Sequence, residues 1–128
     1  MDLTWYNTLN KPYFNPPAEI FAPVWTVMYT LIFISFVLFL NSKKTNNKTP
    51  GFAAFVIQIL LNFSWSPAFF YLHSIEISFA IIILLLISIV LTIIFFYKVS
   101  KPAGLLLIPY LLWTCFAAYL NYSIMVLN

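Results

Sequence analysis

Four long apolar stretches alternate with short polar segments along the chain, and they cover residues 20–40, 52–72, 77–97 and 103–127. A helix needs about 20 apolar residues to cross the hydrocarbon core of a bilayer, and each stretch is long enough. The segment IIILLLISIVLTIIFF (81–96) is apolar on every side, whereas the strands of a membrane β-barrel alternate apolar and polar residues. The pattern therefore predicts an all-α, polytopic transmembrane helix bundle with four visible spans.

Short polar segments join these stretches, at residues 41–51, 73–76 and 98–102. The opening segment is too polar and too rich in proline to span a membrane, and it lacks the basic start and apolar core of a signal peptide. We therefore interpret residues 1–128 as a single membrane domain, in which residues 1–19 lie outside the membrane as a lid-like segment.

Lysine residues are distributed unequally between the two faces that four spans would create. Loops 41–51 and 98–102 would share one face and hold all the lysines except Lys11, which lies on the other face. Cytoplasmic loops of membrane proteins carry an excess of lysine and arginine. The distribution therefore predicts that both termini face away from the cytoplasm, in either a bacterial inner membrane or an organelle membrane.

The composition excludes several classes of protein. Charged residues make up 7% of the chain, compared with about a quarter in soluble domains, and the single cysteine rules out a disulfide scaffold. Six lysines without a basic stripe argue against nucleic-acid binding. One histidine and one cysteine, far apart in sequence, form neither a metal cluster nor a nucleophilic triad. We therefore expect no catalytic residue, no metal site and no required cofactor.

Aromatic and amide side chains recur at helical spacing in three of the four stretches. Trp25 and Tyr29 lie four residues apart in the first stretch, which places them on one helix face. Stripes in the second and fourth stretches contain Gln58, Asn62, Trp65, Ser66 and Phe69, and Pro109, Trp113, Ala117 and Asn121. The third stretch carries few polar groups and is predicted to face mainly lipid.

The depth of these residues predicts that the stripes line one pocket. With a rise of about 1.5 Å per residue, Asn62 and Trp113 lie near the middle of the bilayer, whereas Trp25 and Asn121 lie nearer the N-terminal face. Such a pocket would open beneath the proline-rich segment 1–19. Two other interpretations stay open, because membrane tryptophans commonly form interfacial belts and buried asparagines commonly form hydrogen bonds between helices.

Three tryptophan-containing motifs together cover nearly the whole chain. They are WYNTLNKPYFNPPAEIFAPVWTVMY (5–29), LLNFSWSPAFFYL (60–72) and LLIPYLLWTCFAAYLNYSIMVLN (106–128). In spacing and order they resemble the motifs of the TspO/MBR family, which contains the tryptophan-rich sensory proteins and the translocator protein, or peripheral benzodiazepine receptor. The combination of three motifs is far more specific than any single tryptophan.

The resemblance implies a fold and a ligand class. Family members form five-helix bundles, usually as homodimers, with a pocket near the first interhelical loop, and they bind porphyrins or drug-like aromatic molecules. We therefore expect this chain to bind a tetrapyrrole, protoporphyrin IX or haem, in a sensing, regulatory or transport role. Together with the stripes, the resemblance predicts ligand-binding residues Trp25, Tyr29, Asn62, Trp65, Phe69, Trp113, Ala117 and Asn121, and lid residues Trp5, Lys11, Pro12, Pro16 and Pro17.

The sequence departs from the family pattern at both ends. The family's first helix precedes the W-Y-x-x-L motif, whereas only residues 1–4 precede Trp5 here. Either the protein lacks that helix or the start of the sequence is late or trimmed, and without the helix one face of the bundle would be open to lipid or to a partner. No basic residue follows Tyr119 or Tyr122, so the family's C-terminal cholesterol motif is not present and sterol binding is not expected.

Two functions other than simple ligand binding are compatible with the same motifs. In the first, a light- or oxygen-dependent enzyme degrades porphyrin, with Trp65 or Trp113 reacting near the bound ring. In the second, a structural membrane subunit docks the open face of the bundle onto another protein. Product analysis under illumination and cross-linking would distinguish these functions from binding.

Overall fold

The computed structural model of the protein describes residues 21–43, 48–68 and 74–127, and the regular elements among them are helices. The helices are α1 (Phe21–Asn41), α2 (Thr49–Ser66), α3 (Ile75–Val99), α4 (Lys101–Leu106) and α5 (Ile108–Leu127). This arrangement confirms the predicted all-α helix bundle. Six residues of the predicted site lie outside the described residues: Trp5, Lys11, Pro12, Pro16, Pro17 and Phe69.

Three helical segments are long and apolar enough to cross a membrane: Pro23–Asn41 in α1, Ile75–Val99 in α3, and Lys101–Leu127, which joins α4 and α5. α2 is apolar but shorter. At about 1.5 Å per residue, its 18 residues cover most of a hydrocarbon core of about 30 Å. The predicted second span continues to residue 72, outside the described residues.

Helices extend into the predicted polar segments where the structure describes them: α2 begins at Thr49, α3 spans Ile75–Val99 and α4 begins at Lys101. Pro50 lies in the first turn of α2, where its missing N–H is not needed. Ser74 caps α3 by accepting the N–H of Ile77 at 3.2 Å. Ser100 alone separates α3 from α4. α3 and α4 therefore follow each other through a tight turn in which Ser100 caps α4 by accepting the N–H of Ala103 at 3.4 Å.

A single non-helical residue, Leu107, separates α4 from α5. Pro109 explains the interruption, because it has no N–H with which to bond the carbonyl of Leu105. The N–H of Leu107 donates to Gly104 at 3.2 Å, and the helix resumes with Leu111 donating to Leu107 at 2.9 Å. The fourth predicted stretch is therefore two helices rather than one.

α3 is the central helix of the bundle and packs against α2, α4 and α5. Its buried residues are Ser78, Ile82, Leu85, Ser88, Ile89, Thr92, Phe96 and Val99. These are eight of its 25 residues, so most of the helix is at least partly exposed, as predicted, and the prediction missed only its central position. In a bilayer, buried and lipid-facing side chains are both apolar, so composition does not separate them. The informative signal is the serine and threonine residues of this helix, Ser78, Ser88 and Thr92, all of which are buried.

Four phenylalanines form a stacked row across α1, α2 and α3 at the C-terminal end of α1. Phe36 stacks on Phe55 with ring centroids 4.2 Å apart and planes at 7°. Phe55 lies 5.7 Å from Phe96 at 16°, and Phe96 stacks on Phe39 at 4.1 Å and 6°. Such ring pairs contribute to packing beyond the area they bury. We call these residues the phenylalanine row.

Polar side chains close the same end of the bundle by binding backbone carbonyls. Lys48 Nζ donates to the carbonyls of Leu40 and Ser42, at 2.9 and 2.8 Å, at the C-terminus of α1. Ser42 Oγ donates to the carbonyl of Val99 at 2.8 Å, at the C-terminus of α3. The connections that follow α1 and α3 therefore lie at one end of the bundle.

Gly104 marks the closest approach between α4 and α3. A Cβ atom at this position would lie 2.8 Å from Tyr97 Cβ and 2.9 Å from Tyr97 Cα. We expect Gly104→Ala to lower the free energy of unfolding by about 1–3 kcal/mol, because the added atom forces a backbone shift. Unfolding in detergent micelles by increasing SDS, followed by tryptophan fluorescence, measures the change.

Gly51→Ala is the matched control for this substitution. Its Cβ would lie 2.9 Å from the outer edge of the Phe39 ring; that ring is buried and stacked on Phe96, but a small shift of a side chain costs less than a shift of the backbone. We expect a smaller loss of stability in this variant. Unchanged stability of Gly104→Ala would contradict the close packing of α3 and α4.

Candidate functional site

Five aromatic rings from α1, α2 and α5 lie side by side, and we call them the aromatic cluster: Trp25, Tyr29, Phe63, Trp113 and Phe116. Trp25 lies 5.8 Å from Tyr29 between ring centroids and meets Trp113 edge to face at 6.2 Å and 82°. Tyr29 lies 6.0 Å from Phe63, and Trp113 lies 5.6 Å from Phe116. The aromatic residues predicted from the first and fourth stretches are therefore in direct contact.

Helix periodicity explains which rings meet. Trp25 and Tyr29 are one turn apart on α1, and Trp113 and Phe116 are three residues apart on α5, so each pair shares a helix face. The two tryptophans are partly buried, whereas Tyr29 is 37% exposed and Phe63 is 58% exposed. The aromatic cluster thus combines a packed tryptophan pair with rings that lie at the surface of the bundle.

A chain of hydrogen bonds leads from the aromatic cluster into the bundle. The hydroxyl of Tyr29 donates to Asn62 Oδ1. Asn62 Nδ2 donates to the hydroxyl of Tyr110 at 2.7 Å, and that hydroxyl donates to Gln58 Oε1 at 2.8 Å. The last three residues are all buried. This series, which we call the Tyr29–Gln58 chain, connects α1, α2 and α5 through side chains alone.

The inner end of the Tyr29–Gln58 chain is incompletely paired. Gln58 is 1% exposed, and its Nε2 has no hydrogen-bond partner among the described residues. A buried donor without a partner is destabilising by about 1–3 kcal/mol. In the hydrocarbon region of a bilayer, no bulk water replaces the missing acceptor. Within the described part of the chain, Gln58 therefore holds a donor group without an acceptor.

A second polar group joins α2, α3 and α5 near the N-terminus of α3. Asn121 Oδ1 accepts hydrogen bonds from Trp65 Nε1 at 2.9 Å and from Ser78 Oγ at 3.1 Å. Asn121 Nδ2 donates to the carbonyl of Ile75 at 3.1 Å. We call these four residues the Asn121 cluster. A buried asparagine that bonds to two other helices stabilises their association within a membrane.

The three groups contain most of the predicted ligand-binding residues: Trp25, Tyr29 and Trp113 in the aromatic cluster, Asn62 in the Tyr29–Gln58 chain, and Trp65 and Asn121 in the Asn121 cluster. Ala117 is buried on α5, one turn after Trp113. Phe69 and the lid residues lie outside the part of the chain that the structure describes. Ligand binding by any of these residues stays a prediction.

The contacts of the two asparagines favour the interhelical interpretation that the sequence left open. Asn62 uses its oxygen on Tyr29 and its nitrogen on Tyr110. Asn121 likewise uses both ends of its amide on other helices. Because both side chains are buried, a ligand at this site would meet their aromatic partners before it met the amides themselves.

The predicted ligand-binding set omits six residues of the three groups: Gln58, Phe63, Ile75, Ser78, Tyr110 and Phe116, although Gln58 belongs to the predicted stripe of the second stretch. A signal existed for three of them, since Gln58 lies one turn before Asn62, and Tyr110 and Phe116 each lie three residues from Trp113. Phe63 lies between Asn62 and Ser64, off the predicted stripe, and Ser78 is a polar residue of the third stretch that was not predicted to lie beside the pocket. Their positions depend on how the helices rotate against one another.

Comparison with known proteins identifies the family of the chain. The sequence profile of the TspO/MBR family matches residues 1–127. The chain belongs to the TspO/MBR family. Family membership and the apolar helices together make it an integral, multi-pass membrane protein. The resemblance seen in the three tryptophan-containing motifs is thereby confirmed.

Relatives in this family come from bacteria, archaea and animals. The tryptophan-rich protein TspO of Chlorobaculum tepidum is 45% identical over 97% of this chain and 79% of its own length. The corresponding protein of Archaeoglobus fulgidus is 41% identical over 98% of this chain and 80% of its own length. The translocator protein of Homo sapiens is 33% identical over 95% of this chain and 73% of its own length.

The Asn121 cluster generates a prediction about stability. Asn121→Ala removes the interhelical hydrogen bonds to Trp65 and Ile75, and also the bond from Ser78, whose single proton is shared with the Ile75 carbonyl at 2.8 Å. Such bonds are worth about 0.6 kcal/mol each on average in membrane proteins. We therefore expect the free energy of unfolding to fall by about 1–2 kcal/mol, as measured by SDS unfolding in detergent micelles. Tyr119→Phe, an exposed position on the same helix, is the control and should leave stability unchanged. Equal stability of both variants would argue against the cluster as an interhelical contact.

Proposed function

We propose that the aromatic cluster binds a flat aromatic ligand, a tetrapyrrole such as protoporphyrin IX or haem, in a sensing, regulatory or transport role. The observation that carries this proposal is the edge-to-face contact of Trp25 and Trp113, which come from helices at opposite ends of the described chain. Both rings are only partly buried. Together with the neighbouring rings, they present a broad apolar surface to a planar molecule.

Aromatic stacking supplies the binding energy in this proposal. Pairs of aromatic rings are worth about 0.5–1.5 kcal/mol beyond the area that they bury, and a tetrapyrrole is large enough to contact several rings of the cluster. Asn62 accepts a hydrogen bond from the Tyr29 hydroxyl. This bond holds the Tyr29 ring against Trp25 and Phe63. Lys11, outside the described residues, would pair with a ligand carboxylate at the mouth of the site.

The names of the relatives support a sensing or translocating role. Relatives include the tryptophan-rich sensory protein of Cereibacter sphaeroides, 31% identical over 97% of this chain and 77% of its own length, and several translocator proteins. In the present chain, the affinity for a ligand bound between α1 and α5 would depend on the relative position of these two helices, which are distant in sequence. The homodimer implied by the family resemblance stays a prediction.

A protoporphyrin IX titration tests the proposal directly. The purified protein in nanodiscs should give saturable changes in the porphyrin absorption band. Trp25→Leu and Trp113→Leu should each weaken binding by about 0.5–1.5 kcal/mol, or roughly 2- to 12-fold in Kd, because each variant loses one aromatic partner. Absorption of the porphyrin is the preferred readout, since these variants also change the intrinsic tryptophan fluorescence.

Phe33→Leu is the matched control for the titration. Phe33 lies on α1 and is 67% exposed, and it is not part of the aromatic cluster. Its substitution should leave Kd unchanged. Non-saturable partition into lipid, identical in the parent chain and in all variants, would contradict a porphyrin site and would favour the structural-subunit alternative. Altered porphyrin products under illumination would favour the enzyme alternative.

We also propose that both termini face away from the cytoplasm. The hydrogen bond from Ser42 to Val99 brings the two lysine-bearing connections to one end of the bundle, and cytoplasmic ends are enriched in lysine. Cysteine substitutions at two exposed positions test the orientation in a Cys115→Ala background. In intact bacterial spheroplasts, a membrane-impermeant maleimide should label Glu76→Cys but not Lys43→Cys. The reverse labelling pattern would invert the topology.

A further inference from the structure

The amides of Gln58 and Asn62 can each adopt two orientations of almost the same shape. A turn of 180° about the last side-chain bond exchanges the oxygen and the nitrogen of an amide. The hydroxyls of Tyr29 and Tyr110 can each donate one hydrogen bond and can also accept. The direction of every hydrogen bond in the Tyr29–Gln58 chain can therefore be reversed while the backbone and the rings keep their places.

The two directions differ in where the Tyr29 proton points. In the inward state, which the structure displays, the hydrogen bonds run from Tyr29 towards Gln58 Oε1. In the outward state, Gln58 Nε2 donates to Tyr110, and Tyr110 donates to Asn62 Oδ1. Asn62 Nδ2 then donates to the Tyr29 oxygen. The Tyr29 proton thereby leaves the chain and is available to an acceptor outside it.

The two states leave different groups unpaired at the buried end of the chain. The inward state leaves Gln58 Nε2 without a hydrogen-bond partner among the described residues. The outward state uses this nitrogen and leaves the Gln58 carbonyl oxygen instead. A buried carbonyl with missing partners is tolerated more often than a buried N–H without one. The pairing of Gln58 thus favours the outward state. The pairing of Tyr29 opposes this state only while the Tyr29 proton has no acceptor outside the chain.

We propose that the Tyr29–Gln58 chain is a two-state hydrogen-bond relay that makes Tyr29 a donor to ligands with a hydrogen-bond acceptor, such as a carboxylate, on their rim. Tyr29 is 37% exposed and contacts Trp25, so it is the member of the chain that can meet such a rim. Gln58 is a positioning residue, because it acts on the ligand through the rest of the chain. This inference rests on the proposed function, since it specifies that the ligand bound at the aromatic cluster carries a hydrogen-bond acceptor at its edge.

Gln58→Met tests the relay, because methionine has a similar length and no N–H donor. Without Gln58 Oε1, Tyr110 retains an acceptor within the chain only if it donates to Asn62 Oδ1. That arrangement belongs to the outward state. The substitution should therefore increase the preference for an acceptor-bearing ligand, whereas a purely structural role of Gln58 would weaken the binding of all ligands alike.

Two porphyrins with the same ring serve as probes: protoporphyrin IX, which carries two carboxylates, and etioporphyrin, which carries only alkyl groups. The measured quantity is the ratio of Kd for etioporphyrin to Kd for protoporphyrin IX. Gln58→Met should raise this ratio by about 3- to 10-fold, the range of one hydrogen bond, and Tyr29→Phe should lower it by a similar factor. An unchanged or lower ratio in Gln58→Met would overturn the relay.

Infrared difference spectroscopy tests the relay in the ligand-free protein. The C–O stretching band of a phenol depends on whether its hydroxyl donates or accepts, and the Tyr29 band is the one lost in Tyr29→Phe. In the parent chain this band should have the position of a donor, and in Gln58→Met that of an acceptor. Gln58→Glu keeps an oxygen that accepts from Tyr110 and should restore the donor position. An unshifted band in Gln58→Met would overturn the relay even where porphyrin binding is confirmed.

A double substitution distinguishes the relay from a general effect on the bundle. Tyr110→Phe breaks the connection between Gln58 and Asn62, so Gln58→Met should no longer move the Tyr29 band in that background. A shift that persists would overturn the relay. Gln58→Leu should give the same results as Gln58→Met, and it is used in place of Gln58→Met if the methionine variant does not fold. Failure of both porphyrins to saturate the parent chain would instead overturn the proposed function, and the infrared result would still decide the relay.

Discussion

The bundle depends on the constraint that polar groups within a bilayer must find partners inside the protein. Lipid tails are as apolar as leucine, so helix association there relies on close packing and on hydrogen bonds. Asn62 and Asn121 meet this constraint by each bonding to two other helices. One asparagine joins α2 to α1 and α5, and the other joins α5 to α2 and α3. The two amides therefore hold four of the five helices together.

The two ends of the bundle are held by different forces. At the C-terminal end of α1, the phenylalanine row packs α1, α2 and α3 together, and Lys48 binds the last carbonyls of α1. Towards the other end, hydrogen bonds between side chains replace stacked phenylalanines. Stacked rings can rearrange only by moving, whereas a hydrogen-bonded amide can reverse its direction in place. The reversible hydrogen bonds thus lie beside the aromatic cluster, and the rigid packing of the phenylalanine row lies at the other end of the bundle.

Apolar stretch length and motif order were sufficient to predict the helical bundle and the family. The site could be predicted only as far as a single helix carries the information: Trp25 and Tyr29 share a face because they are one turn apart. The contact of Trp25 with Trp113 and the bond of Tyr110 to Gln58 depend on the rotation of α5 against α1 and α2, which no local pattern specifies. The central position of α3 was missed for the same reason, since lipid and a bundle interior favour the same apolar residues.

The two halves of α1 are attached differently to the bundle, and this difference distinguishes two ways in which a ligand at the aromatic cluster could be sensed. The C-terminal half of α1 is fixed, because Ser35 donates to the carbonyl of Ala103 at 2.6 Å and Phe39 stacks on Phe96. Its N-terminal half is held by the contact of Trp25 with Trp113 and by the hydrogen bond from Tyr29 to Asn62. A ligand inserted between the tryptophans would pivot this half of α1 and stretch the Tyr29 bond. A ligand that binds on the outer surface of the rings would leave α1 in place and act through the direction of the Tyr29–Gln58 chain alone.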